Sequence, residues 1–373
     1  MHVVVIGGGP VGLASAHGLL ASGAEVTVLE AGPRSRPQGS GLSLFGNGVA
    51  ALESLGLGAA LSRLTGDASP TLGGIRTPRG DWLARTPDAA LQTMRVIHRE
   101  ALHAMLLAGL PSGTVRFEAP AELLSAPDGQ VRLDDGEQVH ADLVIIADGI
   151  RSRSRKHVTC DPGSRYAGYG AWRGVTHTEM ASVIPSETWG AGRRFGLVPL
   201  TDGRVYWFAV SSSDPARDGD QRPEVLELFA GWHEPIAEVV QATDAEAVSW
   251  LPIEELARPL PSFSQGRAVL LGDAAHAMTP NLGQGANQGF EDAATLCTVL
   301  RQTSDLPRAL ARYDMLRRPR TRDVARQSRL LGRVGQLSNP VLVRARDTVM
   351  KATPDSVARR QFRQFETLAR LTP

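Results

Sequence analysis

Lysine is almost missing from this chain of 373 residues: Lys156 and Lys351 are the only two, and arginine makes up the rest of the 40 basic residues. Cysteine is as scarce. Cys160 and Cys297 stand far apart, with no Cys-x-x-Cys and no cysteine–histidine cluster, which excludes a zinc site or a disulfide framework. No metal ligands are assigned, and two buried, reduced thiols are the expectation. An excess of either charge is also lacking. Forty basic against 39 acidic residues leaves a net charge of +1, too balanced for a nucleic-acid binder or a protein held on an anionic membrane. No apolar run approaches the roughly 20 residues of a membrane helix. The start, Met1-His2-Val3-Val4-Val5, has none of the regions of a signal peptide. A soluble, cytoplasmic protein of two or three domains is expected.

What is present begins at once. Val3 to Ile6 is a β-branched run suited to a strand buried on both faces of a parallel sheet. It leads into Gly7-Gly8-Gly9-Pro10-Val11-Gly12, a GxGxxG turn. A helical stretch from Val11 to Ser22 follows, Gly23 stops it, and Ala24 to Leu29 reads as a second strand ending in Glu30. Each part has a physical task. Gly7 permits the tight turn, Gly9 lets backbone approach a pyrophosphate, and Gly12 lets helix and strand pack closely. The helix start presents free N–H groups and the positive dipole end to phosphate. Glu30 is placed to accept hydrogen bonds from an adenosine ribose and disfavours a 2′-phosphate, so the nucleotide is NAD or FAD.

Two further strands end in acids. Ala141 to Ala147 runs into Asp148-Gly149-Ile150-Arg151-Ser152. Ala268 to Leu271 runs into Gly272-Asp273-Ala274-Ala275-His276, which continues through Pro280-Asn281 to Gly283-Gln284-Gly285-Ala286-Asn287. Ligands of open α/β sheets sit at the carboxyl ends of strands. One acid there is often only a turn or helix cap; three sites in this order point to a ligand.

With these motifs the sequence resembles the class A FAD-dependent aromatic hydroxylases over nearly its whole length. The short branch of salicylate, 3-hydroxybenzoate and urate hydroxylases looks most similar, also in Ala171-Trp172-Arg173-Gly174 and Gly196-Leu197-Val198-Pro199-Leu200. The resemblance implies a Rossmann-like FAD-binding domain with a mainly parallel sheet, an antiparallel-sheet substrate domain and C-terminal helices, an α/β fold. It implies non-covalent FAD, with NADH or NADPH and O2 as co-substrates. FAD contacts would come from Gly7, Gly9, Pro10, Val11, Gly12, Glu30 and Ala31 near the adenosine end. Arg99 in Ile97-His98-Arg99-Glu100, Ser43, Leu123, Asp148 and Gly149 would add to them. Asp273, after Gly272, would bond the ribityl chain. Gly283, Gln284, Gly285, Ala286 and Asn287 would open a helix, running to about Arg301, toward the pyrimidine end of the flavin. Pro280 would set its carbonyl at the reactive edge. His276 is read as a loop anchor. Three departures stand out. Ala31 replaces an arginine that contacts adenine, a role left to Arg34 or Arg36. Asn281 stands where some relatives carry an acid, and an amide is no base. Ala277 replaces a frequent proline.

The flavin domain is expected to be discontinuous, over 1–70, 97–163 and 264–330. Residues 71–96 and 164–263 would form the substrate domain, and 331–373 a helical tail broken at Asn339-Pro340 and Thr353-Pro354. The nine arginines of 301–330 read as a solvated helix face. The activity implied is a single-component monooxygenase that hydroxylates an aromatic or other electron-rich small molecule through a flavin C4a-hydroperoxide, acting as monomer or homodimer. In its pocket, Arg204 and Tyr206 alternate along one strand and are the candidate catalytic side chains beside Pro280. Trp172 and Phe195 are either ring-stacking walls or core. The competing readings are a flavin-dependent reductase or dehydrogenase acting on an isoprenoid, and a flavin-sensing protein without catalysis.

Overall fold

A computed structural model describes residues 1–34, 41–65, 72–180, 183–212 and 219–366. The strand His2–Ile6 lies inside a six-stranded sheet, between Glu25–Leu29 and Leu143–Ile146, all parallel. Ala268–Leu270 extends the sheet beyond Leu143–Ile146, and Val115–Arg116 closes the other side. Val3, Val4 and Val5 are wholly buried, as a strand covered by helices on both faces requires. The helix Pro10–Leu20 packs on the sheet, and Gly23 at φ +78° turns the chain into the next strand. A three-stranded antiparallel sheet, Ala121–Ser125, Gln130–Leu133 and Gln138–His140, intervenes before Leu143–Ile146.

The second large sheet has seven strands, in the order Ser249–Leu256, Ser164–Val175, Val205–Ser211, Arg193–Pro199, Ser186–Trp189, Gly74–Arg76 and Trp82–Arg85. Its pairs are antiparallel except Ser186–Trp189 with Gly74–Arg76. Side chains alternate across a strand, and the two faces have opposite duties. Trp172, Phe195 and Trp207 point into a core closed by Val225, Phe229 and Val239 from two short helices. Phe195 stacks on Trp207 at 5.5 Å, and Trp207 Nε1 donates to Thr243 Oγ1 at 2.8 Å. Trp172 and Phe195 are therefore core and line no pocket. The opposite face carries Tyr169, Ala171, Arg173, Tyr206, Phe208 and Val210 toward the first sheet.

Helices complete the molecule. Gly285–Gln302 is buried along most of its length, including Phe290, Ala293, Ala294 and Cys297. Leu306–Gly335 starts at Asp305, whose side chain accepts from Arg308 N–H at 3.1 Å, and runs 30 residues, about 45 Å. It passes the proposed boundary at 330 without a break, because it packs continuously on Gly285–Gln302 and on the Pro280–Leu282 turn. Pro340–Ala352 and Asp355–Arg363 follow, separated at the expected prolines.

Two expectations need correction. Cys160 is exposed; only Cys297 is buried, and burial pushes its thiol up to about 12. The arginines of 301–330 are not all solvated: Arg317 is 2% exposed and meets Glu291 and Asp292. Glu291 and Asp292 lie on the inward face of the preceding helix, so the core itself demands the cation. Among the described residues no helix is long and apolar enough to cross a membrane.

Candidate active site

Between the two large sheets lies a cavity of about 1700 Å3. That exceeds the roughly 300–1,000 Å3 typical of a single small-molecule site. Its floor is the carboxyl edge of the parallel sheet. Gly7 sits at φ +108°, where a Cβ would meet Ala147 O at 2.4 Å, and a Cβ on Gly12 would lie 2.0 Å from Gly7 O. Those two glycines are demanded by the fold itself. Gly9 differs: nothing lies within 4 Å of its Cβ position, which leaves room at the start of Pro10–Leu20 for a ligand to approach. No side chain caps that helix. Gly7, Gly9, Pro10 and Val11 line the cavity, and Gly12 stands behind them.

Glu30 also lines it, beside Ala31. Its Oε2 accepts from Gly8 N–H and its Oε1 from Gly32 N–H, each at 2.7 Å. Two backbone donors fix the carboxylate, and each oxygen keeps a lone pair for a hydroxyl. Arg34 lines the same end, with its guanidinium 5.8 Å from the Phe117 ring centre. Arg36 lies outside the described residues. Leu123 is wholly buried, does not line the cavity, and spends its N–H on Ser154 Oγ at 3.0 Å.

In the middle, Asp148 and Asp273 face the cavity from two adjacent strand ends, with Gly149 and Gly272 alongside. Burial pushes the Asp148 carboxyl up, against hydrogen bonding from Ser152, and its Oδ1 is buried without a partner. Arg99 starts the helix Arg99–Ala108 and reaches the same region. Burial pulls its guanidinium down, while Asp273 holds it up and Arg173 repels it. Tyr206 adjoins both arginines; burial pushes its phenol up, and their charges oppose that.

The turn after Asp273 brings Pro280, Gly283, Gly285 and Ala286 to the cavity. Gly283 is left-handed at φ +63°, and the helix Gly285–Gln302 opens without a side-chain cap. Gln284 and Asn287 do not line the cavity. They tie the helix to its neighbours instead: Asn47 Nδ2 donates to Gln284 Oε1 at 3.0 Å. Asn287 accepts from Phe45 N–H at 3.0 Å and donates to Ser43 O at 3.0 Å. Ser43, so positioned, does line the cavity. His276 faces away from it and pairs with Asp292 at 2.5 Å.

These features fit FAD. An uncapped helix start, an open approach at Gly9 and an orphaned buried carboxylate oxygen are places a dinucleotide fills.

Arg204 is not brought to this site. It lies in the turn before Val205–Ser211, so the alternation with Tyr206 does not hold, and its guanidinium pairs with Asp202 at 2.7 Å. In its place stand Arg173 and a cluster the sequence did not reveal. Arg194, 2% exposed, donates from Nη1 to Glu187 at 2.9 Å, from Nη2 to Asn281 Oδ1 at 2.8 Å and from Nε to Gln336 at 2.9 Å. Asn281 Nδ2 donates to Tyr169 Oη at 2.8 Å. Cross-strand register sets Arg194 beside Val210, on the face that Phe208 and Tyr206 share. That register was the missing signal.

The comparisons agree with this geometry. A family model described as FAD binding domain matches residues 1–328. The aurachin C monooxygenase/isomerase of Stigmatella aurantiaca is 35% identical over 362 residues, 94% of each chain. The 3-amino-4-hydroxybenzoate 2-monooxygenase of Streptomyces cremeus is 36% identical, over 95% of this chain and 93% of its own. The crystal structure of Klebsiella pneumoniae HpxO complexed with FAD and uric acid is similar at a TM-score of 0.88 and 28% identity, covering 98% of this chain and 96% of that one. At such identities over nearly entire lengths, the chain belongs to the FAD-binding domain family and, within it, to the class A FAD-dependent aromatic hydroxylases.

Proposed function

We propose that the protein is a single-component monooxygenase that uses FAD, NADH or NADPH, and O2 to hydroxylate an aromatic or other electron-rich small molecule. The observation that carries this reading is one continuous cavity, lined at one end by the Gly7–Val11 turn and Glu30 and, past its middle, by Pro280, Tyr169 and Arg194. Bound FAD supplies the activation of O2; the chain supplies orientation and a dry wall. Glu30 and the Gly9 turn hold the adenosine and pyrophosphate. Arg99, Asp148 and Asp273 hold the middle of the cofactor, and the uncapped start of Gly285–Gln302 stabilises negative charge at its pyrimidine end.

The substrate ring lies against Phe208 and Val210. Tyr206 stands at one side of it and the Arg194 cluster at the other, about 13 Å apart along the strand, with Arg173 beside Phe208 between them. Asn281 cannot take a proton, so deprotonation of a phenolic substrate falls to another group or to solvent. Residues 1–70, 97–163 and 264–330 serve FAD, and 71–96 and 164–263 serve the substrate, with the long helix through 330 joining the two. The protein acts in the cytoplasm, where NAD(P)H is made, as a monomer or homodimer. The reductase reading is not favoured, because the relatives described above are monooxygenases by name.

The test is NAD(P)H oxidation by the FAD-loaded protein in air, across aromatic acids, phenols, purines and quinolones, with product masses recorded. A ligand that speeds oxidation and leaves about 16 Da heavier supports the reading. Reduction of a substrate without oxygen gain would overturn it.

A further inference from the structure

The cavity does not end at Pro280 and Asn281. It continues beneath the C-terminal helices, where Leu331 and Val334 of Leu306–Gly335, Met350 of Pro340–Ala352 and Val357 of Asp355–Arg363 border it. Ile75 and Leu91 also border the cavity, and the helix Asp88–Thr93 that carries Leu91 packs against Asp355–Arg363. Leu331 and Val334, three residues apart, share one helix face. Among the described residues of this part, Arg85 is the one bordering charge, and its guanidinium lies 5.7 Å from the Trp82 ring centre. The nearby Arg194 offers no free cation: all three of its nitrogens are engaged, and Glu187 balances its charge.

We propose that the substrate is an aromatic ring bearing a long apolar chain, alkyl or isoprenoid, and that the chain lodges in this chamber. The proposal rests on the monooxygenase reading and deepens it. Its basis is packing. The apolar side chains that the C-terminal helices present to the chamber are only partly buried, Val357 being 53% exposed, so a hydrocarbon neighbour would take their surface out of water and add dispersion contacts. A polar occupant would shed its water here and find few partners in return, the Thr86 and Thr353 hydroxyls among them. A hydrocarbon chain loses nothing by entering and makes those contacts. The volume agrees, since about 1700 Å3 exceeds what a single small-molecule site usually spans.

The test uses two series of probes, 4-alkylphenols and 2-alkyl-4-quinolones, each with methyl, butyl, heptyl and nonyl chains. Dissociation constants are read from the change in flavin absorbance of the FAD-loaded protein without NAD(P)H. Each added methylene is expected to tighten binding about fourfold until the chamber is full. Val334→Trp and Met350→Trp, each filling the chamber from a different helix, are expected to weaken the heptyl compounds at least about tenfold and leave the methyl compounds unchanged. Retained flavin absorbance shows that the variants fold, and either one suffices if the other does not. A dissociation constant independent of chain length, weaker binding of longer chains, or no binding by either series overturns the proposal. So does turnover of small unsubstituted rings with no gain from a chain, an outcome that leaves the monooxygenase reading intact. Chain-dependent binding with no NAD(P)H oxidation by any probe would count against that reading and in favour of the chamber.

Discussion

Arg194 and Asn281 are joined by a 2.8 Å hydrogen bond from Nη2 to Oδ1, and this bond couples the substrate sheet to the residue that follows Pro280. Arg194 is buried and Asn281 half-buried, and a buried guanidinium persists only when its charge and its donors are answered. Glu187 answers the charge, and Asn281 and Gln336 each accept a further N–H. The helix Leu306–Gly335 closes over them, and only the absence of side chains allows it. A Cβ on Gly332 would lie 2.4 Å from Asn281 Nδ2 and 2.9 Å from Tyr169 Oη.

Gly332→Ala is accordingly expected to displace Asn281 and Tyr169 while leaving the cofactor end untouched. Flavin content should match the parent protein, and kcat/KM for a substrate that stimulates NAD(P)H oxidation should fall about tenfold to hundredfold. Steady-state kinetics on the purified variant decide it. An unchanged kcat/KM would remove the cluster from the site.

The two motif glycines should part company. Gly12→Ala drives a Cβ into Gly7 O and is expected to destabilise the apoprotein itself, seen as a lower Tm without FAD. Gly9→Ala meets no protein atom, so the apoprotein should keep its Tm while FAD binds roughly tenfold or more weakly, because the methyl group occupies the phosphate approach. Equal FAD affinity in Gly9→Ala would put the pyrophosphate elsewhere.

Arg317 lies between Glu291 and Asp292 in the core. Burial works against ionisation of Asp292, but the charges of His276 and Arg317 outweigh it and hold the carboxyl below its usual range. Glu291 is held down likewise by Arg317 and Arg320, against its own burial. A depressed carboxylate contributes stability that is present above its ordinary range and lost as pH falls through the lowered value. Arg317→Met leaves Glu291 with Arg320 and Asp292 with His276 but removes the buried cation the two acids share, and is expected to cost about 3–5 kcal/mol at pH 7 by urea unfolding. The deficit should shrink on acidification, as the under-paired carboxyls take up protons. A deficit independent of pH would mean lost packing rather than lost charge.

Arg204 and Tyr206 give a third contrast. Arg204→Ala removes an exposed pair with Asp202 outside the cavity and should change kcat/KM less than about threefold. Tyr206→Phe removes a buried hydroxyl next to Arg99 and Arg173 and should lower kcat/KM roughly tenfold with flavin retained. The reverse order of effects would restore Arg204 to the site.

The dinucleotide half was legible because its requirements are local. A tight turn at Gly7, a helix start at Pro10 and an acid at the end of the second strand occupy thirty consecutive residues, and steric limits at those positions act within that stretch. The Asp148 and Asp273 strand ends were legible for the same reason. Gln284 and Asn287 belong to the same motif, yet they bind other parts of the chain rather than line the cavity, because position in a motif does not state which way a side chain points.

By itself, then, the sequence determined the nucleotide-binding turn and the order of elements around it, since these follow from backbone geometry over short runs; the family and FAD came with its resemblance to known hydroxylases. Tertiary structure alone decided the substrate side. Arg194 meets Asn281 across 87 residues, and Arg317 meets Asp292 across 25 residues and a helix turn. Met350 and Ile75 border one cavity only because the C-terminal helices fold back over the sheet edge. Such partners are set by strand register and helix packing, which depend on the balance of burial over the whole chain. Arg194 lies within the strand Arg193–Pro199 and Arg204 in the turn before Val205–Ser211, and only the register shows that Arg194 faces the cavity.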